Sequence, residues 1–139
     1  MFNWLKPKST KPKTLGQMGE EFAQKEYKQR AYSIIAANFF NKKGLRLGEI
    51  DFIAKNKSQI IFVEVKTRSS AESKFGTAAE SVNVFKQLKI LKAVKVFLQR
   101  HPKYQTLQPQ IDVCIISYNE LDKNPFSAKI IANAVEDWN

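Results

Sequence analysis

The chain has 139 residues, of which 43% are hydrophobic, enough for one compact domain with a single core and too few for two. Lys and Arg number 23 against 13 Asp and Glu, a formal net charge of +10 that attracts polyanions and makes nucleic acid the expected partner. A basic protein that is merely soluble would have the same charge. The single Cys114 excludes an intrachain disulfide and a cysteine-based metal site, and its apolar surroundings indicate a buried thiol in a reducing compartment.

The first 13 residues contain four lysines and two prolines but no acid. They lack the hydrophobic stretch of a signal peptide, and no segment of the chain approaches the roughly 20 apolar residues that span a bilayer. We therefore expect residues 1–13 to be a flexible basic tail and residues 14–139 to be a single domain. The protein is expected in the cytoplasm, away from membranes.

A capping-box pattern begins the first predicted helix, which covers residues 14–30. Thr14 precedes Gln17 by three positions, so each side chain can bond the backbone of the other. Apolar residues recur at helical spacing behind this cap and form one buried face. Glu20 lies on the flank of that face. It either complements the positive end of the helix dipole or is directed over the sheet.

An aromatic and apolar strand is predicted over residues 32–39, and a basic loop follows it. Lys42, Lys43 and Arg46 lie in this loop, directly before the next strand. Loops beside a catalytic sheet often contact substrate, so these three cations are candidates for phosphate binding. A solvated basic loop explains them equally well.

Two strands rich in Ile, Val and Phe follow, over residues 48–54 and 59–68, with a polar turn between them that predicts a β-hairpin. Alternation along the strands brings Asp51 opposite or diagonal to Glu64, with Lys66 on the same face as Glu64. Two carboxylates between hydrophobic strands lose several kcal/mol of hydration unless they are compensated. A Mg²⁺ or Mn²⁺ ion held by Asp51 and Glu64 would compensate them. Alternatively, Glu64 and Lys66 form an ordinary surface ion pair.

A second capping box, at Thr77 and Glu80, begins a predicted helix that ends near residue 100. Its predicted apolar side consists of Val84, Leu88, Leu91, Val94 and Leu98. Gln87 falls within that apolar arc. Since a buried amide needs partners, we expect Gln87 against the Glu64 and Lys66 end of the sheet.

Lysines also recur along this helix at three-residue intervals, and no acid matches them. They are Lys86, Lys89, Lys92 and Lys95. This ridge favours phosphate binding over ordinary salt bridges within the helix. A merely solvated face is the alternative.

The last part of the chain contains the only histidine, a buried strand and a final short element. His101 ends the helix, so an exposed cap is expected rather than a general base. Asp112 lies among apolar residues of the strand at 111–118, where it would brace the sheet or an arginine, and we do not assign it to the metal. Residues 129–135 form a last strand or the start of a short helix.

Taken together, these motifs resemble the YraN-like family of bacterial proteins, predicted relatives of restriction endonucleases and archaeal Holliday-junction resolvases. The Gly-Glu-Ile-Asp and Val-Glu-Val-Lys-Thr-Arg blocks of the hairpin carry the resemblance. It extends to Gly16–Glu20, Asn38, Val82-Asn83, Lys86-Gln87 and Ile111–Val113. One departure from the wider nuclease pattern is that Ile50, and not Pro, precedes Asp51.

The resemblance implies an α/β, restriction-endonuclease-like three-layer domain with a mixed central β-sheet flanked by helices. It also implies metal-dependent cleavage of phosphodiester bonds, in DNA more than RNA, and suggests a homodimer. The metal ligands would be Asp51 and Glu64, and Lys66, Glu20 and Gln87 would complete the catalytic set.

Glu20 would reach the metal through water, and Gln87 would orient Lys66 or the phosphate. The expected contacts to the nucleic-acid backbone are Lys42, Lys43, Arg46, Arg68, Lys86 and Lys89. The alternative is a non-catalytic binding or scaffold protein that keeps the metal site.

Overall fold

The computed structural model of the protein describes residues 11–37, 50–69 and 84–135. Within these ranges the elements are α1 (Leu15–Gln29), β1 (Ser33–Ala37), β2 (Phe52–Lys55), β3 (Gln59–Ser69), α2 (Val84–Arg100), β4 (Gln108–Tyr118) and β5 (Phe126–Ile131), with one 3₁₀ turn at Pro102–Tyr104. Several predicted features lie outside the described residues. They are most of the basic tail, Asn38, the loop cations Lys42, Lys43 and Arg46, and the cap at Thr77 and Glu80.

The five strands form one mixed sheet in the order β1-β2-β3-β4-β5. Only β3 and β4 are parallel, and every other neighbouring pair is antiparallel. A parallel pair needs a crossover connection, and α2 lies in the segment that joins β3 to β4. The predicted hairpin is β2–β3, and β3 is the central strand, which confirms its expected position near the middle of the sheet.

Side chains of β3 alternate between two hydrophobic clusters, one on each face of the sheet. Ile60 and Phe62 pack with Ile90 and Val94 of α2, whereas Ile61 and Val63 pack with residues of α1. The protein therefore has three layers, with α1 on one face, the sheet in the middle and α2 on the other. The predicted restriction-endonuclease-like three-layer α/β fold is confirmed.

The predicted capping box of α1 is present. The Thr14 hydroxyl accepts a hydrogen bond from the Gln17 backbone N–H at 3.1 Å, and the Gln17 side chain accepts one from the Thr14 N–H at 3.0 Å. Cys114 is buried against α1, as its apolar run predicted, and desolvation raises the pKa of its thiol to about 12. No helix in the part of the chain that the structure describes is long and apolar enough to cross a membrane.

A close contact between α1 and β3 requires glycine at position 19. A Cβ atom built on Gly19 would lie 2.9 Å from both Cβ and Cγ2 of Thr67 and would overlap its hydroxyl. Thr67 is β-branched and lies in the central strand, so it has little freedom to move. The contact fixes α1, and with it Glu20, close to the sheet.

We expect Gly19→Ala to lower the free energy of unfolding by about 1–3 kcal/mol, because α1 must move away from Thr67. Gly16→Ala is the matched control, since a Cβ there meets only the Thr14 hydroxyl, at 3.8 Å. Alanine in a helix is favoured over glycine, so the control should be neutral or slightly stabilising. Urea unfolding measures both variants, and equal stability of the two would contradict the contact.

Asp112 braces the sheet, one of its two predicted roles. Tyr27 of α1 donates a hydrogen bond to Oδ2 of Asp112 at 2.6 Å. Oδ1 accepts from the Gln110 side chain at 2.8 Å and from the Asn133 backbone N–H at 2.9 Å. The carboxylate is only 2% exposed, so these three donors replace its hydration. It therefore ties α1 to β4 and to the turn that follows β5.

Tyr27→Phe should lower the free energy of unfolding by about 1–3 kcal/mol, because it leaves one oxygen of a buried carboxylate without its donor. Tyr32→Phe removes a comparable hydroxyl, which donates to the neutral side chain of Gln59 at 3.1 Å in a partly buried position. Its cost should be smaller, about 0.5–1.5 kcal/mol. Chemical denaturation of the two variants in parallel tests the difference. A larger loss of unfolding free energy for Tyr32→Phe than for Tyr27→Phe would contradict the prediction.

The buried side of α2 differs from the predicted one. Leu91 and Val94 are buried as expected, but Ile90 and Phe97 complete the packed face, and Leu88 is 58% exposed. The prediction was wrong for Leu88 because apolar residues occur around most of this helix, so the sequence pattern does not fix its rotation.

Two further boundaries and one side chain also differ from the predictions. The strand predicted at 111–118 begins at Gln108, and the final strand is Phe126–Ile131 rather than 129–135. His101 caps the end of α2 with its Nδ1 atom 2.8 Å from the Phe97 carbonyl oxygen. Its ring is stacked on Phe97 and half-buried, not exposed.

Candidate active site

Asp51 lies directly before β2 and is fixed by the backbone of β3. Its N–H donates to the Val63 carbonyl at 2.9 Å, and its Oδ2 accepts from the Val65 N–H at 2.7 Å. Phe52 pairs with Val63, so the same register places Asp51 opposite Glu64. Alternation along the strands directs both acids to the α2 side of the sheet, as the sequence predicted.

Glu64 is the buried carboxylate at the centre of the site, with 5% of the residue exposed. Its Oε1 atom lies 2.7 Å from Nζ of Lys86 and 3.3 Å from Nζ of Lys66. Two ammonium groups therefore converge on a single oxygen. The positive charges of Lys66 and Lys86 compensate the buried negative charge of Glu64. Truncating any of the three would therefore be costly, because a partly buried charge would lose its partner.

Glu20 reaches the same cluster from α1. It follows Gly19, whose contact with Thr67 brings this turn of the helix against β3. The Glu20 and Asp51 carboxyl groups are close enough to share a hydrogen bond, which affects the pKa of both. A hydrogen bond between two carboxyl groups requires a proton on one of them. Glu20, Asp51 and Glu64 thus lie close together, although they are far apart in the sequence.

Burial is the main cause of the raised pKa of Asp51, which reaches about 8, and the negative charge of Glu64 raises it further. The Val65 N–H acts in the opposite direction, because it stabilises the carboxylate. Burial also raises the pKa of Glu20, while its hydrogen bond to Asp51 opposes the rise. Burial and the negative charge of Glu64 therefore both favour a proton within the Asp51–Glu20 pair.

Lys66 is the β3 cation nearest Glu64, two residues after it and on the same face. Burial lowers the pKa of its ammonium group, and the neighbouring Lys86 lowers it further, while Glu64 raises it. The lysine is half-buried, so its charge lies in a partly desolvated environment. Such a charge interacts more strongly with a bound anion than a solvated lysine does.

The other predicted residues lie at different distances from this cluster. Gln87 is half-buried and follows Lys86 in the first turn of α2 that the structure describes. Arg68 lies near the end of β3, and Lys89 is exposed on α2. The structure thus joins Glu20, Asp51, Glu64 and Lys66. It adds Lys86, which the sequence indicated only as a phosphate contact. The position of Lys86 next to Gln87, on the flank of the helix, is the sequence feature that could have indicated this role.

The donor set of this cluster suits a hard divalent cation. Among the residues that the structure describes, no group of three or more His, Cys, Asp and Glu side chains is arranged to hold a metal. Mg²⁺ does not require such a group, because it keeps several waters and is commonly bound through one or two carboxylates together with substrate phosphate. Asp51 and Glu64, held opposite each other on a fixed sheet, would provide those two carboxylates. The residues present therefore fit Mg²⁺ or Mn²⁺.

A mixed sheet between two helices, with Asp51 opposite Glu64 and Lys66 on the same face, defines a restriction-endonuclease-like domain with an acidic site. The sequence model of the uncharacterised protein family UPF0102 matches residues 19–116. The chain belongs to this family, which is the YraN-like family indicated by its motifs.

Individual relatives cover most of the chain. A UPF0102 protein of Acinetobacter baumannii strain AYE is 38% identical over 104 residues, 75% of this chain and 74% of the relative. One from Caldanaerobacter subterraneus is 38% identical over 112 residues, 81% of this chain and 86% of the relative. Another, from Clostridium botulinum strain 657, is 36% identical over 124 residues, 89% of this chain and 95% of the relative. The region that the family model matches includes Glu20, Asp51, Glu64, Lys66 and Lys86.

Proposed function

We propose that this protein is a metal-dependent nuclease that hydrolyses phosphodiester bonds of nucleic acid, with DNA as the preferred substrate. The observation that carries the proposal is the opposition of Asp51 to the buried Glu64, with Lys66 on the same face and two residues away. A formal charge of +10 supports a polyanionic substrate. Nucleic-acid substrate and a buried reduced cysteine both accord with a cytoplasmic location.

In this mechanism Asp51 and Glu64 would hold Mg²⁺ or Mn²⁺. When bound, the ion would polarise the scissile phosphate and lower the pKa of a coordinated water. Asp51 and Glu20 must release their shared proton for this, since a ligating carboxylate is ionised. Glu20 would then hold a water at the edge of the site.

The lysines act on the substrate side of the site. Lys66 would stabilise the negative charge that develops on the phosphoryl oxygens, because its ammonium is fixed and partly desolvated before substrate arrives. Gln87 would orient Lys66 or the phosphate from α2. Lys86, whose Nζ lies 2.7 Å from Glu64, would contact a backbone phosphate when Glu64 serves as a metal ligand. Arg68 and Lys89, with Lys42, Lys43 and Arg46, would bind further phosphates.

A second function is a nucleic-acid-binding or scaffold protein without turnover. The observation that favours it is the pair of ammonium groups on Glu64, at 2.7 and 3.3 Å. They compensate the buried charge without any metal, so a folded site does not by itself require catalysis. A homodimer is compatible with either function, and sedimentation or light scattering would establish it.

The deciding experiment is a cleavage assay on linear, single-stranded, flapped and four-way DNA and on RNA, with Mg²⁺, Mn²⁺ or EDTA. The wild type is compared with Glu64→Ala and Lys66→Ala. Cleavage that needs the divalent ion and is lost in both variants supports the nuclease. Cleavage that survives both substitutions comes from a contaminant, and binding without cleavage across the panel identifies the scaffold.

We also expect binding to weaken strongly with salt. Each phosphate that a lysine or arginine neutralises contributes about −0.9 to the slope of log affinity against log salt on duplex DNA. Lys89→Ala should therefore reduce the magnitude of the slope by about 1. Lys57→Ala, an exposed lysine in the turn between β2 and β3, is the control. Fluorescence anisotropy in EDTA measures the slopes. If the affinity of the wild type does not change with salt, the proposed phosphate contacts are wrong.

A further inference from the structure

The outer side of α2 exposes large apolar side chains to solvent. Phe85 is 77% exposed, Leu88 58% and Val96 36%. Phe85 and Leu88 are three residues apart and therefore neighbours on one helix face. A phenyl ring and a leucine exposed side by side leave favourable apolar burial unused. Adjacent exposed apolar side chains of this kind make a candidate binding surface.

The charges on the same helix define the chemistry of that molecule. Five cations lie in α2, namely Lys86, Lys89, Lys92, Lys95 and Arg100, and the helix contains no acid. Lys89 follows Phe85 by four residues, and Lys92 follows Leu88 by four, so cations alternate with apolar side chains along the exposed face. We call the set Phe85, Leu88, Lys89 and Lys92 the outer α2 face. Its complement is an anionic polymer that also presents flat apolar groups.

The outer α2 face begins at the end of α2 that lies beside the candidate active site. Phe85 is the immediate neighbour of Lys86, whose Nζ lies 2.7 Å from the buried Glu64. A polymer with one phosphate at that site would pass its next units over the start of α2. Duplex bases are paired and stacked on one another, so they offer no free ring face to a protein side chain. Unpaired bases do, and every base stacks on an aromatic ring.

We propose that the outer α2 face binds an unpaired stretch of nucleic acid beside the active site, with a base stacked on Phe85 and phosphates on Lys89 and Lys92. The inference rests on the proposed function for its polymer and specifies the substrate as single-stranded or locally opened. Leu88 extends the apolar platform beneath the neighbouring base. The sequence alone did not indicate a stacking residue here, since Phe85 reads as one apolar residue among many in α2.

Binding in EDTA tests this inference separately from cleavage. A labelled oligothymidylate of about 16 nucleotides and the same strand annealed to its complement are titrated by fluorescence anisotropy. Phe85→Ala should weaken single-strand binding by about 5- to 150-fold, the equivalent of about 1–3 kcal/mol per stacked base. Duplex binding should change less than about 2-fold, because that mode uses only phosphate contacts. Leu88→Ala should have the same selectivity with a smaller effect.

Two further variants make the test specific. Val96→Ala removes an exposed apolar side chain of the same helix about three turns from Phe85 and should leave both affinities unchanged. Phe85→Trp should keep single-strand binding, and the added tryptophan fluorescence, measured against wild type, should be quenched by the oligomer. Phe85 and Leu88 are exposed, so circular dichroism and thermal melting should match the wild type.

The possible failures are distinguishable. If Phe85→Ala leaves single-strand affinity unchanged, or lowers single-strand and duplex affinity equally, the stacking surface is wrong while the nuclease proposal stands. If the wild type binds neither the single strand nor the duplex, both the nuclease proposal and the stacking proposal are contradicted, because each requires a nucleic-acid ligand. If single-strand binding depends on Phe85 but no cleavage occurs on any substrate, the outer α2 face is supported and the nuclease proposal fails.

Discussion

Glu64→Gln is expected to lower metal-dependent cleavage, measured as kcat/KM, by about 100- to 1000-fold, the usual loss when one preorganised electrostatic group is removed from an active site. Glutamine has nearly the same shape but no charge. It is therefore a poor ligand for a hard divalent cation, and it no longer pairs with the ammonium groups of Lys66 and Lys86. The assay uses the DNA substrate cleaved best by the wild type, with Mn²⁺ or Mg²⁺.

Nucleic-acid binding by the same variant should be retained or strengthened. Without the carboxylate, Lys66 and Lys86 lose a counter-charge that competes with phosphate, and the net charge becomes more positive. Glu21→Gln is the matched control, since Glu21 adjoins Glu20 but forms an ion pair with Lys13 at 2.6 Å. It should cleave like the wild type. If Glu64→Gln cleaved within a few-fold of wild type, Glu64 would not be a metal ligand.

Asp51→Asn should stabilise the metal-free protein at alkaline pH, by about 2–4 kcal/mol at pH 9. Burial and the charge of Glu64 raise the pKa of Asp51 from 3.8 to about 8. Between those values the folded state holds a proton that the unfolded state has released, so the wild type loses stability as pH rises from about 4 to about 8. Asparagine carries no charge and can still accept from the Val65 N–H, so this loss should disappear.

Urea unfolding in EDTA at pH 4, 6, 8 and 9 measures the effect. The variant and the wild type should be closest in stability at pH 4, near the unfolded pKa of 3.8, and should diverge as pH rises. Asp122→Asn is the control, because Asp122 is exposed after β4. Destabilisation by Asp51→Asn at pH 9 would show that Asp51 is held in its charged form. The same substitution should abolish cleavage, a common conflict between stability and activity at functional sites.

The pairing of Asp51 with Glu64 followed from the sequence because strand geometry is local. Side chains alternate with a period of two, and the polar turn fixes which residues of the hairpin face each other. The helix cap at Thr14 was predictable for the same reason, since its two hydrogen bonds join residues three positions apart. The family resemblance pointed to a site residue outside the hairpin, which strand alternation does not predict. It directed attention to Glu20, whose alternative role was to complement the helix dipole.

Glu20 itself shows where local information ends. The sequence placed it on the flank of α1, but its contact with Asp51 depends on the packing of Gly19 against Thr67, residues 48 positions apart in the chain. Asp112 behaves in the same way, because one of its donors is Tyr27, which lies 85 positions earlier in the chain. Contacts between distant segments are fixed by how helices settle on the sheet, which no local periodicity encodes.

The sequence by itself determined a basic α/β chain with a hairpin that sets Asp51 against Glu64. Only the tertiary structure decided the rotation of α2. Apolar residues surround most of that helix, so several rotations would bury a comparable amount of hydrophobic surface. Packing against Phe62 and its neighbours selects Ile90, Val94 and Phe97 for the core. That choice turns Lys86 inward to Glu64 and leaves Phe85 in solvent, because residues on one helix rotate together.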